Sequence, residues 1–332
     1  MKIKKPYLLF LGDAADQLAA KTAIGIRDWR PDDCVGQFRM DDCKADAGLE
    51  DMTIKQAVDA GAKTLVAGVA NRGGIISDAW VAVLKDALNA GLDLAAGLHN
   101  KLADVPALQR TAKRKKRQIF DVRHPSETYP VANGEKRSGK RLLPVGTDCS
   151  CGKMYTALAI EKEMLEREMK ATFRATGQTG ILITGEGVSV DAVVADFISG
   201  AIETISPAND PDHWDIIEGQ GSLFHASYAG VSTGLLHGAQ PDALVLCHEP
   251  TRTHMRGLPH YPLPGLEDCM EANLQVASLT NPDVKFVGVS VDTSRLGEDE
   301  AFAFLAQIST RLGLPAVDPV RTGVDVIVDG LI

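Results

Sequence analysis

Residues 141–159 read RLLPVGTDCSCGKMYTALA, and this stretch decides the fold of the second half of the chain. The apolar run Arg141–Val145 predicts a buried strand, a loop begins at Gly146, and a long helix is predicted over about 152–169. A loop between a strand and a helix presents successive backbone N–H groups to an anion, and the helix dipole adds its positive end. Lys153 would add a point charge, so the stretch predicts a phosphate-binding loop of the P-loop kind.

The loop departs from the common P-loop pattern in two ways. Five residues separate Gly146 from Gly152, one more than usual. Met154 follows the lysine where a Ser or Thr hydroxyl would bind Mg²⁺, and a thioether offers no hard oxygen ligand. Thr156 lies about one helical turn past the lysine and cannot simply replace that hydroxyl. We therefore expect no metal, and we expect a phosphate-bearing ligand that is held rather than cleaved.

Outside this stretch, apolar strand-like runs alternate with amphipathic segments. The predicted strands are 7–11, 64–70, 93–96, 118–122, 171–175, 215–218, 243–247 and 285–291, and the predicted helices before the loop are 13–26, 77–89 and 105–115. In the first helix, the three-and-four spacing places Leu18 on the apolar face. Residues 123–140 hold two Pro, two Gly and many polar side chains, which is typical of a linker. The alternation predicts an α/β chain of two parallel-sheet domains that divide near 125–140.

Composition excludes several classes of protein. Of the 332 residues, 45% are hydrophobic and 24% are charged, so the chain can bury a core and is not disordered. The formal charge of −9 argues against a general nucleic-acid binder. No run approaches the ~18 apolar residues of a membrane span, and the apolar start breaks at Gly12, which indicates a first strand rather than a signal peptide. Six cysteines without metal-type or secreted spacing favour reduced thiols and a cytoplasmic location.

The charge is unevenly distributed along the chain. From Arg110 to Arg141 there are eleven Lys or Arg residues and three acidic residues, a local charge of +8 in a chain whose remainder carries −17. This basic island either guides one small anionic partner toward the phosphate loop or is a solvated helix end with its linker.

Three segments together resemble a known family of P-loop proteins. They are GTDCSCGKMYTALA (146–159), FRATGQTGILITGEGVSVDAVVADFISGA (173–201) and DIIEGQGSLFHASYAGVSTGLLHG (215–238). The family, long catalogued as a domain of unknown function, has a Rossmann-like N-terminal domain before its P-loop domain and includes a D-glutamate N-acetyltransferase. The resemblance implies a Rossmann-like domain over 1–130 and a P-loop NTPase-like domain over 131–332.

The same resemblance implies an activity. The chain would be an enzyme that transfers an acetyl group from acetyl-CoA to the amino group of D-glutamate, a small acidic D-amino acid, in D-amino acid catabolism. The phosphates of acetyl-CoA would be held by the loop, whose residues are Gly146, Thr147, Asp148, Cys149, Ser150, Cys151, Gly152, Lys153 and Met154. We expect the chain to form a homo-oligomer and to have no nucleic-acid or membrane partner.

Two candidates for proton transfer belong to the stretch that begins at residue 215. Glu218 ends a predicted strand, and the glycine after it would let the backbone approach a ligand closely. In an acetyltransferase, Glu218 would accept a proton from the substrate ammonium. His225 follows in the same stretch and has a natural pKa for base work, although a lone histidine is more often structural.

Candidate substrate ligands follow two other predicted strands. They are Arg174, Thr176 and Gln178 after the strand 171–175, and Arg252 and Arg256 after the strand 243–247. Two arginines four residues apart would share the face of a one-turn helix and clamp the two carboxylates of an acidic amino acid. The alternatives are a plain turn after the first strand, a surface loop with exposed cations after the second, and Arg295 or Arg321 as the cationic ligand.

Other functions stay open at this stage. The GTDxxxGK loop is also similar to that of dethiobiotin synthetase, so an ATP-dependent ligase or kinase is the main alternative and a nucleotide-sensing module is a third. A covalent acetyl-cysteine on Cys149 or Cys151 is conceivable, because a helix N-terminus and a nearby lysine lower a thiol pKa, although direct transfer is preferred. The loop 71–74 would close over the substrate, or the N-terminal domain would support a subunit interface.

Overall fold

The structure is a computed structural model that describes residues 2–69, 75–125 and 127–332. The loop 71–74, which the sequence suggests as a cover for the substrate, lies outside the described residues. In the described ranges, no helix combines the length and the apolar character that crossing a membrane requires.

The chain divides into two compact units. The first comprises 1–126 and 177–192, and the second comprises 127–176 and 193–332. Each unit is built on its own parallel sheet with helices in the connections, which confirms the predicted α/β class with two parallel-sheet domains. The assignment of 177–192 to the first unit is not anticipated by the sequence, which shows a single restart of the strand pattern near residue 141.

The described strands and helices are numbered separately along the chain. The strands are β1 (Tyr7–Gly12), β2 (Cys34–Arg39), β3 (Thr64–Ala67), β4 (Asp93–Ala96), β5 (Ile119–Asp121), β6 (Lys140–Gly146), β7 (Ala171–Arg174), β8 (Trp214–Ile217), β9 (Ala243–His248), β10 (His254–Met255), β11 (Leu258–Pro262), β12 (Lys285–Val291) and β13 (Ala316–Val317). The helices are α1 (Lys21–Trp29), α2 (Ile54–Asp59), α3 (Asp78–Ala90), α4 (Pro106–Lys115), α5 (Lys153–Glu166), α6 (Gln178–Thr184), α7 (Ile198–Ile205), α8 (Ala229–Ala239), α9 (Leu266–Ala277), α10 (Glu298–Leu312) and α11 (Asp325–Asp329).

The first unit is a five-stranded parallel sheet in the order β2-β1-β3-β4-β5. Leu9 of β1 lies opposite Gln37 of β2 on one side and Val66 of β3 on the other. Every residue of β1 is buried, as expected for a strand covered by helices on both faces. Burying an aliphatic side chain such as that of Leu9 contributes roughly 2 kcal/mol, so this central strand anchors the unit.

The predicted helix 13–26 is wrong in its first half. A 3-10 turn, Gln17–Ala20, precedes α1, and the Oδ1 atom of Asp16 accepts a hydrogen bond from the N atom of Ala19 (2.9 Å). Leu18, assigned to the apolar face, is 74% exposed. A short polar side chain that caps its own turn competes with the helix, and a count of apolar spacing does not register this competition.

Strand β2 is not predicted from the sequence because a polar residue occupies one of its buried positions. The side chain of Gln37 is buried and donates to Asp46 Oδ1 (2.9 Å) and Asp51 Oδ1 (3.1 Å). Its Oε1 atom accepts a hydrogen bond from the N atom of Ala47 (2.8 Å). A glutamine whose polar atoms are satisfied in this way occupies the core without giving a hydrophobic signal in the sequence.

The second unit contains a six-stranded sheet in the order β13-β12-β9-β6-β8-β7, and all of its pairings are parallel. Leu142 of the central strand β6 is paired with Ala243 of β9 on one side and with Ile216 of β8 on the other. The predicted strands of this half are confirmed to within one residue at each end. Because the strand order reverses at β6, the loop after it lies where open parallel sheets bind their ligands.

The basic island is divided between the two units. Its first part, 110–117, covers the C-terminal end of α4, where cations complement the helix dipole. In its second part, 136–141, Lys136 pairs with Asp242 (2.7 Å) and Arg141 is fully buried. This second part lies at the amino end of β6, about 20 Å along the strand from the loop at its other end. The basic residues 136–141 therefore do not lie beside the loop, and guidance of an anion by the island 110–141 stays a prediction.

The segment 177–192 joins the first unit although residues of the second unit flank it in the sequence. Its helix α6 packs on α1, and residues 180–183 of that helix are buried. The N atom of Ile3 donates a hydrogen bond to the carbonyl of Gly185 (2.7 Å). A short apolar helix is compatible with either sheet, so its own sequence does not report which sheet covers it.

We expect Gly238→Ala in α8 to lower the free energy of unfolding by about 1–3 kcal/mol, because the helix has no room for a larger residue there. A Cβ atom at this position would overlap the carbonyl of Ser199 and lie 2.8 Å from the Cβ atom of Ile202 in α7. Gly230→Ala in the same helix is the control, since no described atom lies within 4 Å of its Cβ position and alanine favours a helix. Urea unfolding measures both variants, and a Gly238→Ala protein as stable as the parent would contradict the close approach.

Candidate active site

The loop 147–152 connects the central strand β6 to helix α5. Ser150 (φ 51°) and Gly152 (φ 96°) both have left-handed backbone, which glycine adopts freely and serine adopts at a cost on the order of 1 kcal/mol. Left-handed residues in a short loop turn successive N–H groups toward one centre and form a concavity for an anion. Within the described part of the chain, the N–H groups of Ser150 and Cys151 have no hydrogen-bond partner. The loop is therefore strained where it would contact an anion.

Lys153 places its charge inside the loop. The residue is 6% exposed, and its Nζ atom donates to the carbonyl of Asp148 (2.8 Å) and lies 3.6 Å from the Sγ atom of Cys151. A Cβ atom at Gly146 would lie only 2.9 Å from this Nζ atom, so a glycine is needed for the lysine to lie there. The structure thus has the strand, loop and helix that the sequence predicts, with an ammonium group at the centre of the loop.

Arg252 lies beside the loop but not on a helix. The chain after β9 turns and enters the antiparallel hairpin of β10 and β11, so the predicted one-turn helix is wrong. The Nη1 atom of Arg252 donates to Asp148 Oδ2 (2.8 Å) and to the carbonyl of Cys149 (2.6 Å). Its Nη2 atom donates to the carbonyl of Ser150 (2.6 Å), and its Nε atom donates to Glu249 Oε2 (2.9 Å). The guanidinium is therefore bound to the loop and to its own turn.

Two buried carboxylates hold this guanidinium in place. Asp148 is 1% exposed and Glu249 is 2% exposed. The Oδ1 atom of Asp148 accepts a hydrogen bond from the N atom of Cys149 (2.6 Å), so this carboxylate joins the loop backbone to the arginine. Burial acts to raise the pKa of Glu249, but hydrogen bonds from Thr251 and the charge of Arg252 outweigh it and leave the pKa below its usual range. Glu249 is therefore ionised at neutral pH.

Arg256 reaches the same loop from the hairpin turn. Its backbone N atom donates to Asp148 Oδ2 (2.9 Å), and its guanidinium donates to the hydroxyl of Ser150. Unlike Arg252, the residue is exposed. The rival cations Arg295 and Arg321 have no hydrogen bond or ion pair with the loop among the described residues. The structure thus brings both predicted arginines to the loop, and only Arg256 turns a charged group toward solvent.

His225 is buried beside the loop with both ring nitrogens engaged. Its Nδ1 atom accepts a hydrogen bond from the N atom of Ser227 (3.2 Å). The hydrogen-bond network therefore assigns the ring proton to Nε2, which donates to the carbonyl of Arg256 (3.1 Å). A neutral histidine bonded in this way has no lone pair left to accept a substrate proton.

One group of possible metal ligands lies at the loop within the described residues. Ligand atoms of Asp148, Cys149 and His225 all lie within 4.8 Å of one another. The carboxylate of Asp148 is already bonded to the guanidinium of Arg252, and a cation at that place disfavours a second one. The absence of a metal from the reaction stays a prediction.

Glu218 follows strand β8 and is buried. Its Oε2 atom accepts a hydrogen bond from the N atom of Thr176 (2.9 Å), and its carbonyl accepts one from the hydroxyl of Thr176 (2.6 Å). A Cβ atom at Gly219 would overlap the carbonyl of Pro144 and lie 3.0 Å from the Cδ atom of Lys153. The backbone after Glu218 therefore runs against the lysine side chain, and Thr176 orients the carboxylate.

Four of the six cysteines surround the loop, and none of these four is poised to attack. They are Cys149, Cys151, Cys247 and Cys269. Burial raises the pKa of Cys149, and it raises the pKa of Cys247 and of Cys269 to about 12. The Sγ atom of Cys151 is buried and donates to the carbonyl of Asp148 (3.1 Å). Because the thiolate is the nucleophilic form, these environments favour direct transfer over a covalent acetyl-cysteine.

Sequence reasoning misses His248, which ends strand β9. Its Nδ1 atom lies 3.0 Å from the hydroxyl of Thr147 in the loop. Burial lowers the pKa of His248, so the ring is neutral at neutral pH. The sequence signal for His248 is a polar residue at the carboxyl end of a strand. Knowing that this strand pairs with β6 requires the strand order, which the sequence does not give.

Known protein families account for both units of the chain. A model described as "Domain of unknown function (DUF1611_C) P-loop domain" matches residues 130–328, and one described as "Domain of unknown function (DUF1611_N) Rossmann-like domain" matches residues 36–125. The chain belongs to the DUF1611 family. The Rossmann-like and P-loop characters of the two sheets, implied by the sequence resemblance, are thereby confirmed.

Relatives of this DUF1611 chain include named enzymes and a solved structure. A protein of Tritonibacter scottomollicae is 62% identical over 329 residues, covering 99% of each chain, and one of Pseudoalteromonas sp is 50% identical over 331 residues, covering 100% of each. Both are named D-glutamate N-acetyltransferase. A crystal structure of a DUF1611 family protein from Anabaena variabilis has a TM-score of 0.84 at 32% identity and covers 99% of each chain.

Two predicted substrate ligands of this DUF1611 chain, Arg174 and Gln178, do not have the surroundings that the sequence predicts. The Nε atom of Arg174 donates to Oδ1 of the buried Asp215 (2.7 Å), which engages its guanidinium in an ion pair between β7 and β8. Gln178 belongs to the first unit, whereas Arg174 and Thr176 belong to the second. The side chain of Thr176 contacts Glu218, whereas Arg174 contacts Glu218 through its backbone carbonyl.

We expect Cys149 to react slowly with iodoacetamide at neutral pH. Its reaction rate should rise only at a more alkaline pH than the rate of an ordinary thiol does. Burial raises its pKa, so the reactive thiolate forms later as the pH rises. Mass spectrometry of the loop peptide across a pH series measures the rate, with glutathione as the reference thiol. Labelling of Cys149 in the folded protein at the rate of glutathione at neutral pH would contradict this and would revive the acetyl-cysteine route.

Proposed function

We propose that this chain is a D-glutamate N-acetyltransferase whose acetyl donor is acetyl-CoA. Relatives that are 62% and 50% identical over their full length carry this enzyme name, and similarity across both units supports the same activity. The observation that carries the proposal in the geometry is the cationic loop after β6, against whose lysine the backbone that follows the buried Glu218 runs.

The loop supplies the groups that a CoA phosphate needs. The N–H groups of Ser150 and Cys151 have no partner within the described residues, and the 14-residue helix α5 begins directly after the loop. The ammonium of Lys153 and the positive end of the helix dipole both attract a phosphate. This combination supports binding of the donor through its phosphates, with no requirement that a phosphate bond be broken.

The helix start also fits a ligand that is not hydrolysed. Met154 occupies the place of the hydroxyl that binds Mg²⁺ in nucleotide hydrolases. The hydroxyl of Thr156 points into the fold, where it donates to the carbonyl of Gly152 (3.0 Å) and lies 2.7 Å from the hydroxyl of Ser290. We therefore propose acetyl transfer without a metal rather than an ATP-dependent reaction.

Acetyl transfer needs a base because the amino group of D-glutamate is protonated at neutral pH. Glu218 would accept that proton, and the amine nitrogen would then form a bond to the thioester carbonyl carbon while the bond from that carbon to sulfur breaks. The CoA thiolate would leave and take up the second proton, which the nitrogen gives up as the amide forms. Backbone N–H groups at the loop would stabilise the negative charge that develops on the carbonyl oxygen.

The geometry favours Glu218 over His225 as this base. Glu218 is a carboxylate that accepts a hydrogen bond from the N atom of Thr176, and an ionised carboxylate is an acceptor at both of its oxygens. His225, by contrast, uses both ring nitrogens for backbone groups of Ser227 and Arg256. His225 instead connects the turn after β8 to the hairpin that carries the arginines.

Arg256 is the cation that we assign to a carboxylate of D-glutamate. It is exposed, and its side chain is bonded to the hydroxyl of Ser150 at the surface of the loop. A guanidinium on that surface can pair with a carboxylate through two parallel N–H groups. The proposal keeps two further sequence expectations: the chain forms a homo-oligomer, and it works in the cytoplasm, where its six free cysteines stay reduced.

We expect release of free CoA thiol when the protein is given acetyl-CoA and D-glutamate, with the same rate in the presence of EDTA. Lys153→Ala should raise the KM for acetyl-CoA about tenfold or more, because a buried charge-assisted contact with phosphate is lost. Lys162→Ala on the exposed face of the same helix is the matched control and should leave that KM unchanged. A Mg²⁺-dependent release of ADP from ATP, without thiol release, would contradict the proposal.

We expect Glu218→Gln to lower kcat about a hundredfold or more while the KM values change little, because an amide cannot accept the ammonium proton. Glu271→Gln, an exposed carboxylate on α9 of the same unit, is the control and should keep the parent rate. His225→Gln should cost less than Glu218→Gln. If the histidine variant loses more kcat than the glutamate variant, the assignment of the base is wrong.

A further inference from the structure

We propose that Arg252, oriented by Glu249, is the positioning residue that holds the phosphate loop in its anion-binding conformation, and that it does not itself bind D-glutamate. The kinetic part of this inference rests on the proposed function, whereas the structural part concerns the loop alone. It replaces the sequence expectation that both arginines clamp the substrate.

Most of the N–H donors of the Arg252 guanidinium are already engaged in hydrogen bonds. All three nitrogens of Arg252 donate hydrogen bonds, to Asp148, to Glu249 and to two loop carbonyls. No pair of parallel N–H groups remains for a bidentate contact with a substrate carboxylate. A clamp on the substrate would first have to break bonds to two buried carboxylates.

The bonds from Arg252 also fix the direction of the loop backbone. In a trans peptide, the carbonyl of one residue and the N–H of the next point in opposite directions. Arg252 holds the carbonyls of Cys149 and Ser150 on its own side, so the N–H groups of Ser150 and Cys151 point to the other side. These are the two N–H groups without a partner among the described residues.

The loop also contains a strained residue that Arg252 holds in place. Ser150 has left-handed backbone (φ 51°), a conformation that a non-glycine residue keeps only when its surroundings enforce it. The bond from Arg252 to the carbonyl of Ser150 enforces it from outside the loop. Glu249 fixes the Nε side of the guanidinium, so the arginine meets the loop in one orientation.

A lysine at this position could not hold the loop backbone in the same way. An ammonium keeps the charge opposite Asp148 and Glu249, but it lacks the planar fork that spans two carbonyls and two carboxylates at once. Arg252→Lys therefore keeps the positive charge but removes the hydrogen-bonding geometry of the guanidinium, whereas Arg252→Ala removes both. Arg311→Ala is the matched control, because Arg311 forms an exposed ion pair with Glu267 in the same unit and does not touch the loop.

Hydrogen exchange tests the structural part without any substrate. The amides of Thr147 and Cys149 are hydrogen-bonded in the folded loop. We expect both to exchange about tenfold faster or more in Arg252→Ala, and faster than the parent in Arg252→Lys, with no change in Arg311→Ala. Unchanged exchange in Arg252→Lys and Arg252→Ala would overturn the proposal. If Arg252→Ala does not fold, the Arg252→Lys protein decides.

Steady-state kinetics tests the consequence for each substrate separately. We expect the KM for acetyl-CoA to rise about tenfold or more in Arg252→Ala and to recover in part in Arg252→Lys, while the KM for D-glutamate stays within about twofold. A rise in the KM for D-glutamate with an unchanged KM for acetyl-CoA would make Arg252 a substrate ligand and overturn the proposal. A parent protein without acetyl transfer would refute the proposed function instead, and the exchange data would still decide the role of Arg252.

Discussion

The ion pair between Asp148 and Arg252 is the constraint on which the candidate active site depends. Asp148 is buried at the end of the central strand, and a buried carboxylate is costly unless charge and hydrogen bonds compensate it. Arg252 supplies the charge, and the backbone N atoms of Cys149 and Arg256 supply the hydrogen bonds. The pair therefore couples the loop after β6 to the turn after β9, and removing Arg252 would leave the buried carboxylate of Asp148 without its ion-pair partner.

The parts of the site that the sequence predicts are those set by local order along the chain. Strand β6, the loop and helix α5 are continuous in the sequence, so the apolar run, the glycines and Lys153 are enough to place the candidate anion site. The neighbouring strands follow from their own apolar runs, and Glu218 follows from its place at the end of one of them. Chain order also fixes which ends of parallel strands meet at one edge.

The parts that escape prediction depend on contacts between distant residues. Whether Arg252 faces a substrate or the loop is decided by Asp148 and Glu249, and only the folded turn brings these together. The basic residues 136–141 are near the loop in sequence yet lie at the opposite end of the strand, because an extended strand separates its two ends by its whole length. Helix α6 packs with a unit that its sequence neighbours do not join.

The protonation of the loop side chains bears on why this P-loop suits transfer rather than hydrolysis. Burial keeps the Cys149 thiol protonated and leaves the buried His248 neutral, so the charge that Lys153, Arg252 and Glu249 place at the loop does not change near neutral pH. Such a site would attract a phosphate group equally across the physiological pH range. A metal-dependent hydrolase needs a hard oxygen ligand after the lysine, and Met154 offers none. The loop is thereby suited to a ligand whose phosphates serve as a handle while the reaction occurs at another of its bonds.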